Sequence, residues 1–166
     1  MDRLWTPWRY RYVSSAKPAG ADGGCIFCEM AASSDDRGNY IVLRAERNFA
    51  MLNLYPYTSG HLMIAPYEHI ATLEGAPQET LEEMMRLTAR AEKALRQVYR
   101  PDGLNIGMNL GEAAGAGVAG HIHMHVLPRW TGDGSFMTTV AETRVLPETL
   151  ETTYERLKAA LSAKDT

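Results

Sequence analysis

Three of the five histidines in this 166-residue chain alternate with apolar residues between His121 and His125. In a β-strand, alternate side chains point to the same face, so the three imidazoles share one face while Ile122 and Met124 point into a core. The imidazoles of His121 and His125 are then about 13 Å apart. One metal ion cannot bind both, because Zn–N bonds are about 2 Å long. The two ends of the run therefore have different functions, and a strand that only exposes polar residues to solvent is the disfavoured alternative.

A glycine-rich loop precedes the histidines and contains Gly111, Gly115, Gly117 and Gly120. Glycines let backbone N–H groups approach an anion closely, as in phosphate-binding loops. An imidazole that faces such a loop can attack phosphorus, provided that one ring nitrogen is unprotonated and the other donates a hydrogen bond that fixes the tautomer. The central His123 is the candidate nucleophile. His125 would contact the phosphate or the leaving group, and His61 would approach from an earlier strand.

Cys25 and Cys28 are the only cysteines of the chain and form a Cys-x-x-Cys pair. Such a pair can be a redox motif, part of a metal site or an accident. A thioredoxin-like motif needs a strand before it, whereas a glycine-rich loop precedes Cys25, so metal binding is favoured. With His69 and His121 the pair would complete a closed, structural Cys₂His₂ zinc site, provided that the end of the third strand lies beside the start of the fifth.

Hydrophobic periodicity divides the chain into strands and helices. Strands are predicted at 40–44, 48–54, 61–66, 103–109 and in the histidine run from residue 121. Helices are predicted at 77–99, where Pro77 suits the first helical position, and at 147–163. Short connections between most strands favour an antiparallel sheet. The predicted fold class is therefore α+β, with about five strands, two main helices and a zinc-pinned N-terminal loop.

The composition limits the function classes. A net charge of −3 argues against a broad nucleic-acid-binding surface, and no stretch reaches the roughly 20 apolar residues of a membrane span. The N-terminus lacks the apolar core of a signal peptide, so a cytoplasmic protein is expected. Residues 25–166 are interpreted as one domain. Residues 1–24 form an aromatic and basic tail, for which packing on the domain or on a second subunit is favoured over binding a base or phosphate.

Several of these segments together resemble the histidine triad family. The run from His121 to Leu127 is similar to the family's motif of three histidines that alternate with apolar residues, and residues 60–69 and 109–111 resemble two further blocks. The resemblance implies a compact α+β fold, usually a homodimer, and nucleotidyl chemistry on phosphate-linked nucleotides. It also implies that His123 becomes nucleotidylated at an α-phosphate, that Asn53 contacts ribose and that Asn109 contacts phosphate or orients the nucleophile. The family's zinc ligands correspond to Cys25, Cys28, His69 and His121.

A closer likeness is to the bacterial diadenosine tetraphosphate phosphorylase-type branch of that family. It rests on residues 4–7, 53–57 and 128–136. Enzymes of this branch split the dinucleotide with inorganic phosphate and give ATP and ADP. Several triad hydrolases carry Gln and a hydroxyl residue where this chain has Gly117 and Val118, so backbone N–H groups of the Gly115–Gly120 loop are expected to bind phosphate instead. The expected nucleotide-binding residues are Asn53, Asn109, Gly115, Gly117, Val118, His123 and His125.

The sequence leaves three alternatives open. The acceptor could be water instead of phosphate; a phosphate acceptor requires an anion pocket beside His123, which Arg129 or an N-terminal arginine could supply. The chain could also be a non-catalytic nucleotide-binding module, in which zinc stabilises a dimer that binds another protein. Finally, it could be a redox protein that works through Cys25 and Cys28.

Overall fold

The computed structural model describes residues 24–134 and 146–162, and its centre is a five-stranded sheet. The strands are β1 (Ile41–Arg44), β2 (Asn48–Leu52), β3 (Leu62–Pro66), β4 (Gly103–Gly107) and β5 (Met124–Arg129). They are arranged in the order β1-β2-β3-β5-β4, and every neighbouring pair is antiparallel. The α+β class and the antiparallel five-stranded sheet predicted from the sequence are confirmed.

The pairing of β3 with β5 brings together the segments that carry the histidines. Met63 is opposite His125 and Leu62 is opposite Val126. Because the strands are antiparallel, the residues just before β3 lie beside β5, and the residues just after β3 lie beside the segment that leads into β5. This register meets the condition that the sequence analysis set for the metal site.

Within residues 24–134 and 146–162, three α-helices cover the two faces of the sheet: α1 (Ile26–Ala32), α2 (Gln78–Tyr99) and α3 (Leu150–Ser162). The longer α2 and α3 pack on one face and bury apolar side chains that include Leu95 and Leu157, both fully inaccessible to solvent. Helix α1 lies on the opposite face, where Phe27 and Met30 join a second, smaller apolar cluster. Across the described part of the chain, no helix is long and apolar enough to cross a bilayer.

Helix α1 is a correction, because the sequence analysis predicted a zinc-pinned N-terminal loop and no helix at the cysteine pair. Seven residues are too few to show helical periodicity, and the side chain of Cys25, the N-cap residue, accepts no hydrogen bond from the backbone N–H groups of the first turn. Tertiary contacts hold the helix instead: Phe27 and Met30 are buried, and the guanidinium of Arg44 donates hydrogen bonds to the carbonyl groups of Met30 and Ala31 at the C-terminal end.

Strand β5 begins at Met124, so the prediction that all three histidines lie on one strand is wrong for His121 and His123. A backbone group of this segment forms a hydrogen bond with a loop residue and not with a neighbouring strand: the N–H of Ile122 donates to the carbonyl of Ile70. Other predicted bounds shift by one to three residues. Helix α2 begins at Gln78 with Pro77 as its cap, and β2 ends at Leu52.

Candidate active site and metal centre

His123 is buried, with 4% of its surface exposed, and one of its ring nitrogens has a fixed hydrogen bond. Nδ1 lies 2.8 Å from the backbone carbonyl oxygen of His121. A carbonyl only accepts hydrogen bonds, so Nδ1 carries the proton and Nε2 carries the lone pair when the ring is neutral. This is the tautomer that the sequence analysis required of a nucleophile.

His125 and His61 form a second contact beside this ring. The ring centroids of His123 and His125 are 4.9 Å apart, and His125 Nδ1 lies 2.8 Å from His61 Nε2. His61 directly precedes β3 and follows Gly60, whose φ is +82°. A side chain at residue 60 would collide with Tyr99, since a Cβ there would lie 2.9 Å from its ring, so glycine is required where the chain turns toward His61.

Burial keeps the imidazoles of His121, His123 and His125 uncharged at neutral pH. It lowers the pKa of His123, although the hydrogen bond to His121 opposes part of the effect. Burial also lowers the pKa of His125 to about 4, with a smaller contribution from the charge of His123. The pKa of His121 is lowered mainly by burial as well. A neutral His123 keeps the lone pair that nucleophilic attack needs.

Cys25, Cys28, His69 and His121 form one cluster, as the sequence predicted for a metal site. Their candidate ligand atoms all lie within 4.8 Å of one another. His121 Nδ1 is 3.3 Å from Cys25 Sγ and 3.7 Å from Cys28 Sγ, and His69 Nδ1 is 3.4 Å from Cys28 Sγ. These residues come from α1, from the segment after β3 and from the segment before β5.

The donor set fits zinc. Bonds of about 2.0 Å to nitrogen and 2.3 Å to sulfur in a tetrahedron place the two ligand atoms about 3.5 Å apart, which is close to the separations in the cluster. His121 Nε2 lies 2.9 Å from the carbonyl oxygen of Pro66, so Nε2 carries the proton and Nδ1 is left to bind a metal. Four protein ligands would close the site, which is typical of structural zinc.

Phe27 contacts both the metal cluster and the candidate nucleophile. It lies between the two cysteines on α1, and its ring centroid is 5.3 Å from that of His121 and 4.9 Å from that of His123. His121 is also shared, because its side chain belongs to the metal cluster and its carbonyl holds His123. The metal cluster and the candidate nucleophile therefore form one continuous packed unit.

The expected nucleotide-binding residues lie in two places. Asn53 is half-buried and contacts His61, whereas Asn109 lies at the glycine-rich loop, with its Nδ2 3.5 Å from the Gly115 carbonyl. In that loop a 3₁₀ turn (Glu112–Ala114) is flanked by glycines at 111 and 115, both with a positive φ, and Gly117 is exposed. Val118 packs against the apolar cluster that contains Phe27, which ties the loop to the α1 side of the sheet.

Arg129 was one candidate source of an anion pocket beside His123 in the sequence analysis, and in the structure its guanidinium has other partners. Its guanidinium bonds Asp133 through two nitrogens, at 2.6 and 2.7 Å, and Asn105 through the third. Arg129 is also four residues beyond His125 on β5, about 13 Å along the strand. The proposed role of the aromatic tail concerns residues 1–23, which lie outside the described residues.

Comparison with known proteins identifies the family. Residues 37–132 match the sequence model of the HIT domain. The chain belongs to the HIT family. Over 162 residues this HIT protein is 40% identical to a Mycobacterium tuberculosis protein named AP-4-A phosphorylase, and the alignment covers 95% of this chain and 83% of the relative.

Solved structures of HIT proteins share the fold. A Zn-bound histidine triad family protein from Mycobacterium smegmatis matches with a TM-score of 0.68 and 34% identity, over 84% of this chain and 94% of that one. A histidine triad nucleotide-binding protein from Sulfolobus tokodaii matches with a TM-score of 0.66 and 26% identity, over 82% and 91% of the two chains. The histidine triad resemblance seen in the sequence is thereby confirmed.

Two aromatic residues at the site of this HIT protein were missed by sequence reasoning. Tyr57 packs against the His61–His125 pair, with its ring centroid 4.9 Å from that of His61 and 6.3 Å from that of His125. Phe27 was overlooked although its position between the two cysteines was a usable signal, because side chains inside a metal-binding turn pack near the ligands. Nothing local to residue 57 indicated its contacts, which depend on how the 53–60 connection folds back onto β5.

Proposed function

We propose that this HIT protein is an enzyme that transfers a nucleotidyl group from a dinucleoside polyphosphate to His123 and then to an acceptor. The observation that carries the proposal is the buried His123 ring, whose Nδ1–H is committed to the His121 carbonyl and whose Nε2 keeps its lone pair. The relative named AP-4-A phosphorylase supports nucleotide processing in general. It also favours diadenosine tetraphosphate as substrate and inorganic phosphate as acceptor.

In the first step, His123 Nε2 attacks an α-phosphorus of the substrate. A P–N bond forms, the P–O bond to the polyphosphate breaks, and ATP leaves with the electron pair of that bond. Two properties of the site favour the step: the tautomer is set before the substrate arrives, and burial holds the pKa of His123 below its usual value. A preset tautomer needs no reorganisation when the substrate binds.

In the second step, an oxygen of inorganic phosphate attacks the phosphorus of the adenylyl-His123 intermediate. The P–N bond breaks, its electron pair returns to Nε2, and ADP is released. With water as the acceptor, AMP would be released instead. Chemistry of this kind depends on holding the phosphate oxygens, for which His125, Asn109 and the backbone N–H groups of Gly115, Gly117 and Val118 are the proposed ligands.

Zinc is the proposed cofactor and its role is structural. The cluster of Cys25, Cys28, His69 and His121 would hold it, and the ion would cross-link α1 to the segment that follows β3 and to the segment that precedes β5. Binding the ion would hold His121 in one orientation. This matters for the nucleophile, because the backbone carbonyl of His121 accepts the hydrogen bond from His123. The homodimer implied by the family resemblance remains a proposal, for which analytical ultracentrifugation is the measurement.

Product analysis tests the proposed activity. The protein is incubated with diadenosine tetraphosphate, with and without inorganic phosphate, and the nucleotides are separated by chromatography. We expect ATP and ADP only when phosphate is present. ATP and AMP without phosphate would replace the phosphorylase with a hydrolase. The absence of turnover under both conditions would contradict the enzyme proposal and favour a nucleotide-binding module.

A further inference from the structure

We propose that the side-chain amide of Asn53, together with the backbone N–H of Tyr57, sets the proton positions of the His61–His125 pair and so makes His125 a hydrogen-bond donor on the side that faces the substrate. Asn53 then has a positioning role besides the ribose contact implied by the family resemblance. The consequence for turnover rests on the proposed function, whereas the proton positions are a property of the free protein and are tested separately.

The orientation of the Asn53 side-chain amide is fixed by a backbone group. Its Oδ1 lies 2.9 Å from the backbone N of Tyr55. A backbone N–H only donates, so the oxygen of the amide must face Tyr55 and the nitrogen must face the other way. That nitrogen, Nδ2, lies 3.3 Å from His61 Nδ1. The two residues are also joined through the backbone, since the N–H of Asn53 donates to the carbonyl of His61 at 3.0 Å.

His61 Nδ1 therefore faces two donors. The first is Asn53 Nδ2, and the second is the backbone N–H of Tyr57 at 3.2 Å. Both require a lone pair on Nδ1. A neutral imidazole carries one proton, which must then be on Nε2. The ring is 1% exposed, so no bulk water competes for these bonds.

The proton on His61 Nε2 determines the tautomer of the next ring. Nε2 lies 2.8 Å from His125 Nδ1, which must accept this proton's hydrogen bond. The single proton of neutral His125 is then on its own Nε2. His125 stays neutral at physiological pH because burial lowers its pKa to about 4.

The outcome is a matched pair of rings. His123 offers a lone pair on Nε2, and the adjacent His125 offers an N–H on its Nε2. An N–H in this position can bind a phosphate oxygen as negative charge grows during attack. If the His61–His125 protons were reversed, His125 would present a second lone pair and repel that oxygen.

Asn53→Asp tests the hydrogen bonds from Asn53 to His61 and from His61 to His125, because the two side chains at residue 53 have nearly the same size and shape. A carboxylate oxygen in place of Nδ2 can only accept, so it should draw the proton of His61 onto Nδ1 and reverse the pair. Asn53→Ala is the matched control, because it removes the side-chain contact but leaves the N–H of Tyr57 pointing at Nδ1. The ring nitrogens are observed by ¹⁵N NMR of histidine-labelled protein, assigned with single His→Gln variants.

In the unsubstituted protein, we expect His61 and His125 to be protonated at Nε2 only. Asn53→Asp should move the His61 proton to Nδ1, whereas Asn53→Ala should keep it on Nε2. In turnover assays, Asn53→Asp should lower kcat about 100-fold, as for the loss of one oxyanion donor. Its KM should change little, because a carboxylate can still bind ribose hydroxyls. Asn53→Ala should instead raise KM more than it lowers kcat.

A proton on His61 Nδ1 in the unsubstituted protein would overturn the proposal. So would an Asn53→Asp protein that keeps its proton on Nε2, whether or not kcat falls. Failure of the proposed function is distinguishable: the unsubstituted protein would then turn over no dinucleotide, while the NMR result on the free protein would still decide the proton positions.

Discussion

At the scale of single residues, some buried polar side chains of this protein have several hydrogen-bond partners at once. Glu83 on α2 is the clearest structural case, since its carboxylate is 8% exposed. It accepts hydrogen bonds from the side chain of Asn48 at 2.9 Å and from the backbone N–H groups of Glu46, Arg47 and Asn48 at 3.2, 2.8 and 2.8 Å. One carboxylate thus fastens the β1–β2 turn to α2.

This arrangement makes the stability of the protein depend on pH. Burial alone would raise the pKa of Glu83, but the four hydrogen bonds outweigh it and leave the pKa below its usual value. The unfolded chain therefore binds this proton more readily than the folded one. Stabilisation by Glu83 is complete above the pKa of the unfolded state, about 4.3, and is lost as the pH falls through the lower pKa of the folded state.

Glu83→Gln should lower the free energy of unfolding at pH 7 by about 2 kcal/mol, because hydrogen bonds to a charged group are lost. The difference between the variant and the unsubstituted protein should shrink below about pH 4. Urea denaturation at pH 7 and pH 3.5 measures both values. Glu82→Gln, at the exposed neighbouring position, is the control and should change stability little at either pH. Equal destabilisation at the two pH values would show that the charge of Glu83 is not the cause.

At the scale of elements, the short helix α1 and the segments around β3 and β5 share one cluster. The cysteines of α1 meet His69, which follows β3, and His121, which precedes β5. Without a bound ion, α1 would depend on Phe27 and Met30 and on the Arg44 hydrogen bonds at its C-terminal end. A metal ion would add a cross-link between segments that are far apart in sequence.

Metal removal should therefore destabilise the protein and disturb the nucleophile. We expect about one zinc per chain by elemental analysis, and a lower melting temperature after chelation. Cys28→Ser should lose the metal and reproduce the lower melting temperature. Glu29→Gln, at the exposed next position of α1, should retain the metal and the melting temperature of the unsubstituted protein. A protein that binds no zinc after purification and refolding, or that melts at the same temperature with and without chelator, would contradict a structural metal site.

Sequence reasoning succeeded at this scale where the signal was local. Hydrophobic periodicity indicated the five strands, although it wrongly placed His121 and His123 on the last of them. The Cys-x-x-Cys pair indicated the metal cluster, because ligand chemistry is specific to residue type and spacing. Helix α1 was missed because its stability comes from tertiary burial of Phe27 and Met30. The partners of Arg129 could not be predicted from the sequence, because a long cationic side chain pairs with whichever carboxylate the fold brings near, here Asp133.

At the scale of the whole molecule, the fold joins two sites on one side of the sheet. Strand order β1-β2-β3-β5-β4 places the residues that flank β3 on either side of the entry to β5. His61 is thereby set against His125, and His69 against His121. His123, between the two pairs, is fixed through both neighbours: a carbonyl from one and a ring contact with the other. The central claim is that this ring is the nucleophile.

The most direct test of that claim is the intact mass of the protein after brief incubation with diadenosine tetraphosphate in the absence of phosphate. We predict an added adenylyl group on His123, located by peptide mass spectrometry at neutral or basic pH, and its release as ADP when phosphate is added. His123→Ala should acquire no adenylyl group and lose turnover by several orders of magnitude. Adenylylation at another residue, or turnover that persists in His123→Ala, would contradict the account.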